Sequence, residues 1–283
     1  RDAKDVLNFG GKAANSSKVI ELGKRVPDGF VLPDEIFDDS VMPEIDAILH
    51  DLAVDVETPE TIFAISQKIS ELVVSRDFPA QLQDDIIQAY RIFKNGRKDL
   101  RVAVRTSGIK EDSRAAAFAG QFKTVLNVAT EDELIMAIKE CRASLWSPQA
   151  IIYKWHNSID TKMCIIVQEM IPAETSGVAM SADPLTADKH ETVIHAVWGL
   201  CEGAVNGSVP ADEIRYDNKA RKVNPHRSTK AYKDRMIVVS PTSGVEEVSV
   251  PKKNRNRWAI DDEQQKEVAQ TVLELQDAFD GPV

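Results

Sequence analysis

Cysteine is scarce: there are three in 283 residues, and Cys141, Cys164 and Cys201 form no C-x-x-C pair. An odd, scattered set excludes a disulfide framework and fits small apolar fillers in a reducing cytoplasm. Histidine is sparse too. His50, His156, His190, His195 and His226 make no H-x-x-x-H or H-E-x-x-H pair, and none stands at zinc spacing from a cysteine. The chain has no G-x-S-x-G elbow and no G-x-x-x-x-G-K-[ST] loop, which removes the usual hydrolase nucleophile and the P-loop. No apolar run approaches the ~20 residues of a membrane span, and no signal peptide is visible. Positive charge is also short: 35 Lys and Arg against 45 Asp and Glu leave a net charge of −10. That balance argues against a nucleic-acid surface or an anionic membrane, but a few local cations and backbone amides can still hold a small anion.

What is present has the composition of a folded protein, with 43% apolar and 28% charged residues. The length exceeds what one compact core usually spans, so two or three subdomains are expected. The pair Gly10-Gly11 is read as a turn leading into a helix, and Pro27 with Gly29 as a turn before a short strand. Helical spacing of Ile62, Ile65, Ile69, Leu72 and Val73, and again of Leu82, Ile86, Ala89, Tyr90 and Phe93, predicts two amphipathic helices over 59–94. Strands are predicted at "RVAVR", "FKTVLNV", "KMCIIVQEMI", "SGVAMSA", "ETVIHAVWG" and "DEIRYD". A helix is predicted through Leu134, Ile138, Cys141 and Leu145, and a hairpin around Thr242-Ser243-Gly244. Asp261 or Asp262 is positioned to cap a last helix carrying Val268, Val272, Leu275 and Phe279. The class is therefore α+β: a mainly helical part over 1–100, a small α/β lid over 101–160 and a larger β platform over 161–283.

Several stretches carry candidate chemistry. Lys12 follows two glycines at a helix entry, where amides and a mobile ammonium can meet a phosphate; a solvated lysine at a plain turn is the alternative. Arg105 ends an apolar strand before Thr106 and Ser107, so it needs an anion, supplied either by Glu111 or Asp112 or by phosphate oxygens. Downstream, "AAAFAGQFKT" strips bulk from around Gly120 and ends in the Thr124 hydroxyl, a loop suited to backbone amides cradling phosphates. "VQEMIPAETSGVAMSADP" reads as a strand, a hinge and a returning strand. Gln168 to Ile171 there either pair as an ordinary strand or present donors and acceptors to an adenine edge. Glu202, in a glycine-rich turn, can hold a ribose hydroxyl or a metal, or merely satisfy loop amides. The basic stretch "PKKNRNRW" reads as a solvated loop or a docking surface for another domain.

These blocks, with "GGKAANSSKVIELGKRVPDGFVL", "VAVRTSGIKEDSRAAAFAGQFKTVLNV", "ASLWSPQAIIYK", "VWGLCEGAVNGSVPADEIRYD" and "VSVPKKNRNRWAIDDEQQKEVA", occur in an order that resembles the N-terminal nucleotide-binding domain of the phosphoenolpyruvate synthase / pyruvate phosphate dikinase family. The resemblance implies an ATP-grasp fold whose helical part and two β-rich subdomains enclose ATP. It implies phosphate binding by Lys12 and Arg105, a triphosphate loop lined by Gly120 and Thr124, and an adenine hinge at Gln168, Glu169, Met170 and Ile171. The assignment of Glu202 is carried over from a Gly-Leu-Gly-Glu position. It further implies ATP and Mg²⁺ as cofactors, transfer of the β-phosphate to a histidine on a separate phosphohistidine domain or subunit with release of AMP, and onward transfer to an acceptor such as pyruvate on an acceptor-binding domain. No metal ligand is assigned within this chain, the metal-binding glutamate being expected beyond Val283. A start without methionine and an end at "FDGPV" suggest a piece of a longer, cytoplasmic enzyme. Three departures stand out: "GGKAANS" for GGKGANL, "VRTSG" for VRSSA, and Cys201 in place of a glycine, which adds bulk beside the ligand. A phenylphosphate synthase subunit, an antibiotic phosphotransferase and a non-catalytic nucleotide sensor or partner-binding module are the alternatives.

Overall fold

The computed structural model describes residues 6–37, 40–50, 58–108, 122–157, 162–186 and 188–283. They belong to two compact units, one within Arg1–Met170 and the other within Ile171–Val283.

The first unit contains helices α1 (Val6–Glu21), α2 (Met42–His50), α3 (Pro59–Ser75), α4 (Ala80–Lys94), α5 (Glu131–Ala143) and α6 (Pro148–Asn157). Its strands are β1 (Gly29–Leu32), β2 (Val102–Gly108), β3 (Thr124–Val128) and β4 (Met163–Glu169), joined as one antiparallel sheet in the order β1-β4-β2-β3. Local chemistry explains where the helices begin and end. Thr58 accepts the Thr61 N–H at 3.3 Å and Pro59 takes the first helical position of α3, where its missing N–H costs nothing. The α4 helix stops at Asn95, whose φ of 43° places it in the left-handed region. A reciprocal capping box between Thr130 and Glu133 opens α5. Strand alternation then turns Val102 and Val104 of β2 and Ile165 and Val167 of β4 into a core shared with Ile86 and Tyr90 of α4 and Leu134, Ile138 and Cys141 of α5. A second cluster, Ile45, Ile65, Ile69 and Ile151, binds α2, α3 and α6 together.

The second unit contains a sheet β5 (Thr175–Met180), β6 (Glu191–Trp198), β7 (Asp212–Asp217) and β8 (Lys222–Val223), antiparallel and in chain order. A separate hairpin pairs β9 (Arg235–Val239) with β10 (Val245–Ser249); its turn ends in Gly244 at φ 67°. The one-turn helix α7 (Glu202–Val205) follows β6, and α8 (Asp262–Phe279) closes the unit. Ile194, Ala196, Ile214 and Tyr216 of the sheet pack on Ala259, Ile260 and Ala269. Asp212 is wholly buried, yet each carboxylate oxygen is occupied. Oδ1 accepts the Lys233 ammonium and the Ala231 N–H at 2.9 Å, and Oδ2 accepts the Ala259 N–H at 2.8 Å. Such full pairing is the condition on which a buried ion pair is tolerated.

Gly10 is non-helical and a helix follows it, as the sequence reading has it, with one further helical stretch from Val6 ahead of the break. Two features differ from the sequence reading. The strand, hinge and returning strand do not form one ribbon, because β4 pairs with β1 and β2 whereas β5 pairs with β6 in another sheet. One sheet also draws strands from all three expected stretches: β1 from 1–100, β2 and β3 from 101–160, and β4 from 161–283. Periodicity identifies a strand but not its partner, since pairing is settled by burial at long range.

Candidate functional site

The first site element is built by one close backbone approach. Gly10 adopts φ 75°, ψ 167°, a region that is essentially open only to glycine. A Cβ there would lie 2.5 Å from both the carbonyl oxygen and Oγ of Ser107. Ser107, fully buried at the end of β2, uses that contact on both sides of the kink: Oγ donates to the Phe9 carbonyl at 2.9 Å and accepts the Ala13 N–H at 3.3 Å. The Lys12 ammonium consequently reaches the same strand and donates to the Thr106 carbonyl at 3.1 Å. Two motifs 94 residues apart in the chain thus meet at the tip of β2.

The second element is a face of the sheet. Val102 and Val104 point into the core, so Ala103, Arg105 and Ser107 occupy the opposite face. Arg105 is exposed and stands across from Thr124 on β3 and Ile166 on β4, and Thr124 is exposed at the start of its strand. Gln168 pairs with Ala103 on one side and Gly29 on the other, which puts it on the Arg105 face. Arg105 Nη1 donates to Gln168 Oε1 at 3.1 Å, and Gln168 Nε2 donates to the Pro27 carbonyl at 3.1 Å. Beyond it, Glu169 turns to the other face and pairs with Arg97 at 3.0 Å. The Glu169 and Met170 N–H groups are taken by the carbonyls of Asp28 (2.7 Å) and Arg101 (2.9 Å). The Met170 sulfur lies 3.0 Å from the N–H of Asn127, which sits at φ 62° in a bulge of β3. Lys12, Arg105, Thr124, Gln168, Glu169 and Met170 therefore share one unit, with Glu169 directing its side chain away from the others.

The remaining candidates are placed elsewhere. Ile171 and Glu202 belong to the second unit; both are exposed, Glu202 at the start of α7. Cys201 has φ −68°, a conformation available to any residue, so the backbone does not demand a glycine there. Gly199 is different: at φ 73° its Cβ would lie 2.1 Å from the Ile237 carbonyl oxygen, where a side chain has no room. Gly120, Glu111 and Asp112 lie outside the described residues. Among the described residues no group of three or more His, Cys, Asp and Glu side chains is placed to hold a metal. Burial pushes the Cys141 thiol up to about 12 and the Cys164 thiol up to about 11, which makes both unreactive fillers.

Sequence reasoning noted Ser107 only as a hydroxyl after an arginine and gave Gln168 a role along the chain. The roles of the two side chains, one tying Lys12's segment down and the other touching Arg105, emerge only with the tertiary contacts. The available signal for Ser107 was the double glycine, since a segment freed of Cβ atoms is built for close approach.

The α+β chain thus places Lys12 on the strand that carries an exposed Arg105, with Thr124 across from that arginine. The profile of the "Pyruvate phosphate dikinase, AMP/ATP-binding domain" matches residues 6–283, and the chain belongs to that family. A probable phosphoenolpyruvate synthase of Archaeoglobus fulgidus is 31% identical over 290 aligned positions, covering 99% of this chain and 38% of that protein. The phosphoenolpyruvate synthase of Aeropyrum pernix is 36% identical over 223 positions, covering 75% of this chain and 27% of that protein. An uncharacterized phosphotransferase of Bacillus subtilis, YvkC, is 30% identical over 277 positions, covering 97% of this chain and 31% of that protein. The chain thus spans well under half the length of these curated relatives.

Proposed function

We propose that this chain is the ATP-binding part of a dikinase-type phosphotransferase of ATP-grasp architecture, working in the cytoplasm. In this reading ATP enters as its Mg²⁺ complex. A histidine on a separate domain or subunit would attack the β-phosphorus and displace AMP, water would then take the γ-phosphoryl group as inorganic phosphate, and the phosphohistidine left behind would pass its phosphoryl group to an acceptor such as pyruvate. Family membership supports the nucleotide, and the names of the relatives support the acceptor class. Their additional length supports further domains for the histidine and the acceptor.

The observation that carries the reading is that Lys12 docks on the strand that bears Arg105. Its ammonium bonds the carbonyl of Thr106, the residue after Arg105, so a mobile point charge and a planar fork are both held by β2. Phosphoryl transfer needs little covalent help from protein. It needs placement and neutralisation of developing charge, which this pair would supply. Thr124 and Gly120 would line the triphosphate, Gln168, Glu169, Met170 and Ile171 the adenine, and Glu202 a ribose hydroxyl or metal.

Calorimetric titration with a non-hydrolysable ATP analogue and Mg²⁺ tests the reading. Lys12→Ala and Arg105→Ala are each expected to raise the dissociation constant roughly 10- to 100-fold, matching about 1.5–3 kcal/mol for a charged hydrogen bond. Arg105→Lys should also bind more weakly, because an ammonium cannot reproduce a bidentate fork. Unchanged affinity in both alanine variants would remove the phosphate assignment.

A further inference from the structure

We infer that Gln168 is a positioning residue for Arg105, an uncharged tether that aims the guanidinium without neutralising it. The inference rests on the nucleotide reading above and gives the Gln168 side chain a task other than lining adenine. The amide of Gln168 is engaged at both ends: Oε1 accepts from Arg105 Nη1 at 3.1 Å and Nε2 donates to the Pro27 carbonyl at 3.1 Å. Only one amide orientation satisfies both contacts, since a carbonyl requires the NH₂ end and a guanidinium the oxygen. Pro27 therefore fixes the direction in which the oxygen faces Arg105.

The neighbouring strands are built to allow this. Gln168 lies between Ala103 on β2 and Gly29 on β1, two small flanks. A Cβ at Gly29 would stand 2.6 Å from the Val167 carbonyl oxygen, 3.0 Å from Gln168 Cα and 3.4 Å from Gln168 Cβ. Arg105 sits at the diagonal position, two residues along β2 from Ala103, within reach of long side chains. Among the described residues Arg105 forms no ion pair with a carboxylate. A glutamate at position 168 would form one, spending the positive charge inside the protein and placing a negative charge beside incoming phosphates. Glutamine holds the same geometry and leaves the charge for the ligand.

The test compares Gln168→Glu and Gln168→Ala with the parent protein by calorimetry. The probes are adenosine 5′-(β,γ-imido)triphosphate with Mg²⁺, and adenosine alone. Gln168→Glu is expected to weaken the triphosphate about tenfold or more and Gln168→Ala by a smaller factor of roughly threefold, each losing clearly more for the triphosphate than for adenosine. In an Arg105→Ala background Gln168→Ala should add no further loss, because its effect passes through the guanidinium. A merely structural tether predicts the larger loss for Gln168→Ala, which removes both contacts, and the smaller for Gln168→Glu, which keeps the Arg105 contact and gives up only the one to Pro27. Equal losses for triphosphate and adenosine would assign the side chain to the base and overturn the inference, as would unchanged triphosphate affinity in Gln168→Glu. If Arg105→Ala itself binds the triphosphate normally, the phosphate site fails instead, and that result is distinct from a failure of Gln168 alone.

Discussion

Gly10 is the residue on which the placement of Lys12 turns. Its φ and ψ fall where non-glycine residues pay about 1–3 kcal/mol, and the space its Cβ would need belongs to Ser107. Gly10→Ala should therefore cost at least about 2 kcal/mol of stability in the first unit and unseat Lys12, seen as a lower denaturation midpoint together with weaker triphosphate binding. A fully stable variant would mean that Ser107 yields readily and that the clasp is loose. Cys201 shows the opposite case, because bulk was expected to matter there and the backbone is in an ordinary helical conformation.

At the scale of elements, much of the architecture depends on a few caps and one bulge. The α8 helix begins at Asp261, whose Oδ1 accepts the Gln264 N–H at 2.9 Å while Gln264 Oε1 accepts the Asp261 N–H at 2.9 Å. Asp261→Ala should cost about 1 kcal/mol, measured by chemical denaturation, with the loss in the second unit and little effect on the Arg105 face in the first. An unchanged midpoint would show that packing of Ala269 and Val272 alone holds the helix start. The bulge at Asn127 belongs to the same scale. It sets two residues of β3 against Ala103 of β2 and brings the Asn127 N–H to the Met170 sulfur at the end of β4.

Across the whole molecule, acidity is organised rather than diffuse. Net charge is −10, yet Asp183 and Glu213 both engage Arg215. Hydrogen bonding from Arg215, then from the Leu185 N–H, holds the Asp183 carboxyl down to about 2 from an ordinary value of 3.8. A carboxyl whose folded value is depressed adds stability above its unfolded value, and that stability fades as pH falls toward the folded one. Thermal stability of the parent should therefore decline between about pH 4 and 2 more steeply than that of Asp183→Asn, which has no charge to lose. Parallel pH profiles would show that Arg215 is held by its other carboxylates.

Helix stripes at 59–94, the Asp261 cap, the Gly244 hairpin and the strand segments were all legible from the amino acids, because each depends on neighbours within a few residues. The pairing of cation with small and hydroxyl residues, on which the proposed phosphate site rests, is also a feature of the sequence itself. What the sequence could not carry was which segments meet. The contact of Gly10 with Ser107, the placing of β4 between β1 and β2, and the reach of Gln168 to Arg105 and Pro27 each join residues far apart in the chain. Those contacts depend on which apolar faces are buried together, a balance struck over the whole unit, and only the tertiary structure decides it.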